Sequence, residues 1–335
     1  MAKIGINGFG RIGRLVLRIG LEEKDLEFVA VNDVMDGGIL AHLFKFDSVH
    51  RRFAGEVKGE KDYIWINGKK LRVFQEKQPE NIRWRDLGVD IVVEASGKFL
   101  TNEEAEKHRK NGAKKVILTA PPKDEKEIKS IVLGVNEKSY NPKEDHIISC
   151  ASCTTNCLAI VVKVLHENFR IIRGYMTTVH AYTNDQRILD APHKDWRRAR
   201  ACHLSMIPTT SGATKMIGIV YPELKGKIDG SAIRVPTPDV SLVDFSCEVE
   251  KATSKEEVNA SFQKASEGEL KRYLQYLAEP IVSVDLTSSP YSAVFDSLLT
   301  SVVDRHFVKV FAWYDNEWGY ASRVVDLIKY TIERW

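Results

Sequence analysis

The sequence has no long hydrophobic run: none of its apolar stretches approaches the roughly 18 residues that a membrane-spanning helix requires. Its first residues also lack the charged and apolar layout of a secretory signal. Cysteine is scarce, with five in 335 residues, and an odd number in so long a chain argues against a disulfide framework. We therefore expect a cytoplasmic protein that works in a thiol-reducing compartment.

Charge of one sign is also in short supply. The formal net charge is only +3, which is too small to favour nucleic acid or a membrane surface as a partner. Repeats, linkers and low-complexity tracts are absent, and no metal site is predicted. The composition, 43% hydrophobic and 28% charged, is that of an ordinary globular protein. Because the chain is too long for one comfortable core, we expect two domains.

The beginning of the chain reads as strand, glycine-rich turn and helix. A short apolar strand, Lys3 to Asn7, leads directly into the motif Gly8-Phe9-Gly10-Arg11-Ile12-Gly13. Glycines also make ordinary turns, so the motif alone is weak evidence; between a strand and a helix it predicts a dinucleotide site. Gly8 would allow the tight turn, Gly10 the approach of a pyrophosphate, and Gly13 the packing of helix on strand.

Two further positions strengthen this interpretation. Asp33 ends the second predicted strand, where its carboxylate would accept hydrogen bonds from the adenosine ribose and repel a 2′-phosphate. NAD is therefore favoured over NADP as the cofactor. Ser96 and Gly97 follow the apolar strand Asp90 to Ala95, and ligands bind at such strand ends in parallel sheets.

After residue 151 the pattern changes to long alternating strands with fewer helices, which is typical of a mostly antiparallel sheet backed by helices. The predicted fold class is therefore α/β, with an N-terminal Rossmann dinucleotide-binding domain (1–151) and an α+β catalytic domain (152–316). The C-terminal helix, 317–335, should pack back on the first domain. The predicted strands include Ile131 to Val135 before the change, and Ile171 to Ala181, Gly230 to Val235, Val240 to Lys251, Pro280 to Leu286 and Phe307 to Tyr314 after it.

Cys153 is the first candidate for chemistry. Ser152 is a good N-cap and an apolar helical run follows, so the thiol should lie at the start of a helix. Unpaired backbone N–H groups and the helix dipole would lower the thiol pKa below about 8.5 and stabilise an oxyanion. The alternative is one more buried cysteine, the usual fate of a free thiol.

Three basic residues are the other candidates for this site. His180 lies near the end of the strand after the cysteine helix, so imidazole and thiol could touch, and His180 should then lower the thiol pKa. A structural histidine is the alternative. Arg234 sits in an otherwise apolar strand, and a buried guanidinium needs an anion such as a substrate phosphate. Arg198 belongs to a basic cluster of the kind that is usually a solvated surface.

These motifs together resemble those of phosphorylating glyceraldehyde-3-phosphate dehydrogenases. The matching stretches run in the family's order over nearly the whole chain and are Asn7 to Arg14, Ala151 to Cys157, Thr177 to His180, Tyr182 to Gln186, Arg234 to Pro238 and Trp313 to Glu317. The resemblance implies NAD-dependent oxidative phosphorylation of D-glyceraldehyde 3-phosphate, with inorganic phosphate as co-substrate. It also implies a homotetramer in which residues 183–211 form a loop at the subunit interface.

The resemblance assigns roles to individual positions. Cys153 would be the nucleophile and His180 the base. Cofactor contacts would come from Gly8, Gly10, Arg11, Ile12, Gly13, Asp33, Lys77, Ser96, Gly97, Thr119 and Asn316, the last of these holding the nicotinamide carboxamide. The substrate phosphate would bind Thr183 and Arg234, and inorganic phosphate would bind Ser152, Thr154, Arg198, Ser211 and Gly212.

Two other interpretations stay open at this point. A paralogous erythrose-4-phosphate dehydrogenase would lack the pattern to which Thr183, Asp185 and Gly212 belong. A catalytically silent member, working as an RNA-binding or adhesive protein, is disfavoured by the small net charge and the intact Cys153, His180 and Arg234. Ala191 replaces the leucine of NAD-preferring members and leaves room for residual use of NADP.

Overall fold

The computed structural model describes all 335 residues, which divide into two compact units. The first consists of residues 1–131, 138–151 and 321–335, and the second of residues 132–137 and 152–320. None of the helices is both long and apolar enough to cross a membrane.

The first unit is built on a nine-stranded sheet with the order β3-β4-β5-β2-β1-β6-β7-β9-β8. All neighbours are parallel except the pairs that involve β4. Its elements are β1 (Ala2–Asn7), α1 (Arg11–Gly20), β2 (Leu26–Asn32), α2 (Gly37–Lys45), β3 (Val57–Glu60), β4 (Tyr63–Ile66), β5 (Lys69–Phe74), β6 (Ile91–Glu94), α3 (Asn102–Lys110), β7 (Lys115–Leu118), β8 (Lys129–Ser130) and β9 (Ile147–Ser149).

The central strands of this sheet are apolar because both of their faces are covered. Every residue of β6 and of β7 is buried, as expected for parallel strands between layers of helices. The strand order reverses at β1, which lies between β2 and β6. In doubly wound sheets this reversal opens a crevice at the carboxyl ends of the strands, where Asn7 and Glu94 lie.

Near one edge of the sheet, β4 and β5 form a hairpin whose two-residue turn is Asn67-Gly68. Both turn residues have positive φ, 49° and 78°, which is the conformation of a type I′ turn. An Asn-Gly pair between two short strands is the sequence pattern that predicts this turn, so the hairpin follows from its own residues.

The second unit contains an eight-stranded, largely antiparallel sheet with the order β11-β12-β10-β13-β17-β15-β14 and with β16 paired to β17. Its elements are α4 (Cys153–Phe169), β10 (Ile171–Ala181), β11 (Ile207–Thr210), α5 (Ala213–Val220), β12 (Ile228–Val235), β13 (Ser241–Val249), α6 (Lys255–Glu267), β14 (Leu274–Leu277), β15 (Ala293–Asp296), β16 (Ser301–Val303) and β17 (Phe307–Tyr314). The last helix, α7 (Trp318–Ile332), begins in this unit, and its residues from Ala321 onwards belong to the first.

The register of the second sheet matters for the site. β10 and β12 are parallel neighbours, and His180 on β10 lies directly opposite Arg234 on β12. The two side chains are therefore brought together by strand pairing, although 54 residues separate them in the chain.

Two predicted strands are wrong. Residues 131–135 form no strand, and Gly134 turns the chain with a φ of 85°; this stretch is apolar because Ile131, Val132 and Leu133 are buried. Residues 280–286 contain only a short 3₁₀ turn, Ser283–Leu286.

The second error has a local cause. Val282 and Val284 are 61% and 69% exposed, and the Asp285 carboxylate accepts a hydrogen bond from the Val282 N–H at 2.9 Å. This side-chain bond closes a turn in place of a strand pairing. The strands near this place in the chain are β14 and β15.

Candidate active site and dinucleotide pocket

A cavity of about 190 Å³ lies in the first unit at the carboxyl ends of the central strands. Five residues of the predicted cofactor set line it: Gly8, Gly10, Asp33, Lys77 and Ser96. The other lining residues are Asn7, Asn32, Val34, Glu76, Ala95, Lys98 and Phe99, and sequence reasoning missed them. Asn7 and Asn32 carried a usable signal, because each is a polar residue that ends a buried strand.

The glycines of the motif differ in what surrounds them. Gly8 has a φ of 92°, and a Cβ there would lie 2.4 Å from the Ser96 nitrogen. A Cβ on Gly13 would lie 2.2 Å from the Gly8 carbonyl oxygen, so α1 packs too closely on the turn for any side chain. Gly10 instead faces open space and immediately precedes α1, where backbone N–H groups are free to bind an anion. This donor set fits a pyrophosphate.

Asp33 stands at the end of β2 with its carboxylate fixed by backbone groups. One oxygen accepts from the Phe9 N–H at 2.8 Å, and the other accepts from the Val34 N–H at 2.7 Å. The carboxylate thus holds the glycine-rich turn against the strand and also faces the cavity.

The remaining predicted cofactor residues of this unit are not part of the cavity lining, namely Arg11, Ile12, Gly13, Gly97 and Thr119. Arg11 forms an ion pair with the buried Asp47 at 2.6 Å. The Thr119 hydroxyl donates to the Glu94 carbonyl oxygen at 3.1 Å. Their roles as cofactor contacts stay predictions.

Cys153 is the first residue of α4, and Ser152 caps the helix by accepting a hydrogen bond from the Thr155 N–H at 3.1 Å. The four other cysteines are buried, and Cys153 alone is partly exposed. Cys157, one turn further along, is fully buried with its sulfur near the Ala312 carbonyl oxygen. Only Cys153 can therefore meet a substrate.

His180 faces that thiol. Its Nε2 lies 3.6 Å from the Cys153 sulfur, and the residue is only 4% exposed. The other ring nitrogen, Nδ1, lies 2.7 Å from the Ala181 carbonyl oxygen and 2.7 Å from Nη1 of Arg234. Arg234 also donates to the Ala181 carbonyl oxygen at 3.0 Å, while its buried Nε has no hydrogen-bond partner.

The electrostatics of this cluster differ from the sequence prediction. Burial raises the pKa of the Cys153 thiol above its ordinary value, and the charge of Arg234 is the largest influence in the opposite direction. Burial also lowers the pKa of His180 to about 3, with Arg234 contributing. The predicted lowering of the thiol pKa is therefore wrong for the chain by itself, because removal from water outweighs the helix start.

A neutral imidazole has a chemical advantage beside a protonated thiol. With a pKa of about 3, His180 carries no charge at pH 7. In the tautomer whose Nδ1–H donates to the Ala181 carbonyl oxygen, Nε2 is free and can accept the thiol proton. Arg234 supplies the positive charge that stabilises the thiolate once that proton has moved. The pair is thus arranged for general-base activation of the thiol.

Tyr314 is a residue of this cluster that the sequence did not reveal. Its hydroxyl bonds to the hydroxyls of Thr154, at 2.8 Å, and Thr178, at 2.9 Å. Its ring meets the edge of the His180 ring at 5.9 Å. Tyr314 therefore fixes both the helix start and the imidazole, and burial raises its pKa, which keeps the phenol protonated.

The predicted phosphate residues fall into two groups within this unit. Thr154 and Arg234 lie in the cluster just described. Arg198 donates to Asp185 at 2.5 Å and to the Thr209 hydroxyl at 3.0 Å, and its charge also acts on the pKa of His180. It is therefore a partnered residue that faces the site.

Other predicted residues are held by hydrogen bonds that involve side chains. The Thr183 N–H donates to the Gln186 side chain, and the Ser211 hydroxyl accepts from the Ala213 N–H. Gly212 is the residue that precedes α5. The side-chain Oδ1 of Asn316 accepts from the Ser241 hydroxyl at 2.6 Å, and this hydroxyl in turn accepts from the Ala181 N–H. Asn316 is thereby tied to the strand that carries His180.

A doubly wound unit with a dinucleotide pocket, and a second unit with a thiol, a neutral imidazole and two guanidinium groups, define the class. It is that of NAD-dependent oxidoreductases with a reactive cysteine. Comparison with known protein families narrows this class. Residues 2–102 match the model of the glyceraldehyde 3-phosphate dehydrogenase NAD binding domain, and residues 152–316 match that of the C-terminal domain.

Individual relatives agree. The chain is 58% identical over 328 residues to a glyceraldehyde-3-phosphate dehydrogenase of Geobacillus stearothermophilus. The aligned region covers 98% of this chain and 97% of the relative. It is 54% identical over 326 residues to glyceraldehyde-3-phosphate dehydrogenase 2 of Streptomyces avermitilis, with 97% of each chain covered. The chain belongs to the glyceraldehyde-3-phosphate dehydrogenase family. The resemblance seen in the sequence, the fold class and NAD as the cofactor are confirmed.

Proposed function

We propose that the protein catalyses the NAD-dependent oxidative phosphorylation of D-glyceraldehyde 3-phosphate to 1,3-bisphosphoglycerate, a step of glycolysis. The observation that carries this proposal is the distance of 3.6 Å between the Cys153 sulfur and Nε2 of His180 at the start of a capped helix. The family membership and the dinucleotide pocket support the same reaction.

The first step is addition of the thiol to the aldehyde. His180 accepts the thiol proton at Nε2, and the Cys153 sulfur forms a bond to the aldehyde carbon while the carbonyl π electrons move to oxygen. The backbone N–H groups at the start of α4 stabilise the negative oxygen. His180 then returns the proton from Nε2 to that oxygen, so the product of this step is a neutral thiohemiacetal on Cys153 and the imidazole is neutral again.

Bound NAD supplies the acceptor for the hydride that leaves the thiohemiacetal carbon. His180 takes the hydroxyl proton at Nε2, so that the carbon–oxygen double bond re-forms and Cys153 carries a thioester. Asn316, fixed by Ser241, would hold the nicotinamide carboxamide. Gly8, Gly10 and Asp33 would hold the pyrophosphate and the adenosine ribose.

The second half of the reaction uses inorganic phosphate. A phosphate oxygen attacks the thioester carbon, the carbon–sulfur bond breaks, and Cys153 leaves as thiolate, giving an acyl phosphate. Arg234 and Thr183 would bind the phosphate that the substrate carries. Ser152, Thr154, Arg198, Ser211 and Gly212 would bind the attacking phosphate, for which forked guanidinium donors are well suited.

Phosphate dependence tests this function. NADH formation from glyceraldehyde 3-phosphate should require phosphate or arsenate, and with phosphate the product should be an acyl phosphate. Arg234→Leu should impair use of the substrate far more than binding of NAD. Full-rate NADH formation without phosphate, with the free acid as product, would contradict the proposal. A higher kcat/KM for erythrose 4-phosphate would favour the paralogous dehydrogenase.

We also propose a homotetramer in the cytoplasm. Five large apolar side chains within residues 183–211 are 70% to 87% exposed in the single chain, namely Ile188, Leu189, Trp196, Leu204 and Met206. Such a group supports an interface rather than a free surface. Light scattering on the purified protein should give four times the chain mass, and charged residues at Leu189 and Trp196 should lower it.

For the domains we keep the division proposed from the sequence. Residues 1–151 with the helix 317–335 would bind NAD, and residues 152–316 would carry the catalytic groups. The two family matches and the grouping of residues 321–335 with the first unit support this division.

The five unpaired cysteines support a reducing compartment.

A further inference from the structure

Behind the dinucleotide pocket lies a buried carboxylate that no step of the reaction uses. Glu94, the last residue of β6, is completely buried. One of its oxygens accepts from the N–H and the hydroxyl of Ser96, at 2.8 and 2.5 Å. The other accepts from the Asn7 amide at 2.5 Å and lies 3.0 Å from Nε2 of His108. A buried carboxylate persists only when donors surround it, and these four supply them.

The direction of the His108 contact is fixed by a third residue. The indole N–H of Trp84, which can only donate, lies 3.0 Å from Nδ1 of His108. Nδ1 must therefore accept, so in the neutral ring Nε2 carries the hydrogen and donates it to Glu94. Trp84 and His108 are both 0% exposed, so water cannot replace either bond.

On its other side the network reaches residues that line the pocket. The side-chain Oδ1 of Asn7 accepts from the side-chain amide of Asn32 at 2.7 Å. Asn32 in turn bonds to the backbone N–H and C=O of Glu76, both at 2.9 Å. Asn7, Asn32, Glu76 and Ser96 all line the cavity, whereas Glu94, His108 and Trp84 do not.

We propose that His108 is a positioning residue for the dinucleotide: with Trp84 it orients the Glu94 carboxylate, which holds Asn7 and Ser96 at the mouth of the pocket. The inference rests on the proposed function, because it takes NAD to be the occupant of that pocket. Loss of the His108 donor leaves a buried acceptor short of one bond, and the carboxylate loses the contact that fixes its orientation, so it holds its pocket-side partners less rigidly. Helix α3 therefore contributes to cofactor affinity without touching the cofactor.

The test measures NADH binding by fluorescence titration, together with KM for NAD and kcat. His108→Leu should raise both the NADH Kd and the NAD KM about tenfold, as for loss of one buried hydrogen bond to a charged group, with kcat within about twofold of the parent. His108→Gln should recover most of the affinity, because its amide can donate to Glu94 and accept from Trp84. His146→Leu, on a half-buried histidine of the same unit with no contact to this network, is the matched control.

Trp84→Phe provides a second route should the leucine variant fail to fold. It keeps an aromatic ring against Phe74, which the indole meets edge-on at 5.7 Å, and removes the N–H that fixes His108. A rise of about threefold in the NADH Kd is expected.

Three results would overturn the inference. The first is parent-like NADH binding by a folded Leu or Phe variant. The second is a glutamine variant that melts like the parent but binds as weakly as the leucine variant. The third is a fall in kcat at unchanged NAD KM. A parent protein that fails to bind NADH in the same titration would instead overturn the proposed function, and this inference with it.

Discussion

The dinucleotide pocket and the cysteine site differ in whether their buried polar groups have hydrogen-bond partners. Around the pocket, Glu94, His108, Asn7 and Asn32 form a continuous network in which no side-chain polar atom lacks a partner. Beside Cys153, the buried Nε of Arg234 has no partner, and its Nη1 lies against an imidazole rather than a carboxylate. One region is complete by itself, whereas the other contains a cation without its anion.

This difference indicates which region is arranged to bind a charged ligand. A satisfied network holds a shape, which suits the binding of a cofactor by backbone groups and a few side chains. A buried guanidinium without an anion is costly until a phosphate arrives. The shifted pKa values of Cys153, His180 and Arg234 all belong to the second region, as expected where chemistry takes place.

The largest expected effect is the loss of the thiol. Cys153→Ser should lower kcat on the order of 10⁴-fold, since a serine hydroxyl is a far weaker nucleophile beside a neutral imidazole. Cys157→Ser should retain most of the activity, because Cys157 is fully buried and burial raises its pKa well above the ordinary value. Stopped-flow measurement of NADH formation checks both. Labelling by iodoacetamide that lands first on Cys157 would reverse the assignment.

The next effect concerns the base. His180→Asn should slow the chemical step by roughly 10²–10⁴-fold, the range for loss of a general base. Because burial lowers the pKa of His180 to about 3, the ring is already neutral from pH 6 to pH 9. The pH–rate profile of the parent should therefore show no step from this imidazole within that range. The exposed His203, changed to asparagine, is the control, and a similar loss there would remove the special role of His180.

A smaller effect is expected at the pocket. Asp33 should make NAD preferred over NADP by at least about tenfold in kcat/KM, because its carboxylate repels a 2′-phosphate. Asp33→Asn keeps an acceptor for the Phe9 N–H and removes the charge, so it should narrow the ratio mainly by improving use of NADP. Comparable kcat/KM values for the two cofactors in the parent would show that Ala191 and its neighbours outweigh Asp33.

The sequence predicted well whatever depends on local rules. The glycine motif, the Asn67-Gly68 hairpin and the Ser152 cap each follow from the conformational needs of a few adjacent residues. The two wrong strands fail for a related reason. A short apolar run is found in buried loops as well as in strands. It can also be part of a turn, such as the one that Asp285 closes.

The site was predictable only in part. Cys153 and His180 could be paired because one helix and one return strand connect them. The position of Tyr314 in the site and the contact between His180 and Arg234 depend on the order and register of β10, β12 and β17. A single sequence does not specify this order or register. The raised thiol pKa was missed because desolvation depends on what surrounds the sulfur, and helix position says nothing about it.

The smallest effect, and the sharpest test of the comparison, is the titration of the thiol. The charge of Arg234 is the largest influence that lowers the pKa of Cys153, so Arg234→Leu should move the curve of iodoacetamide inactivation against pH towards higher pH. His180→Asn should leave that curve nearly in place, because a ring with a pKa of about 3 carries no charge where the thiol titrates. Arg200→Leu, on an exposed arginine paired with Asp190, is the control. If His180→Asn moves the curve upward and Arg234→Leu does not, the imidazole and not the guanidinium activates the thiol. The unpartnered cation would then serve phosphate binding alone.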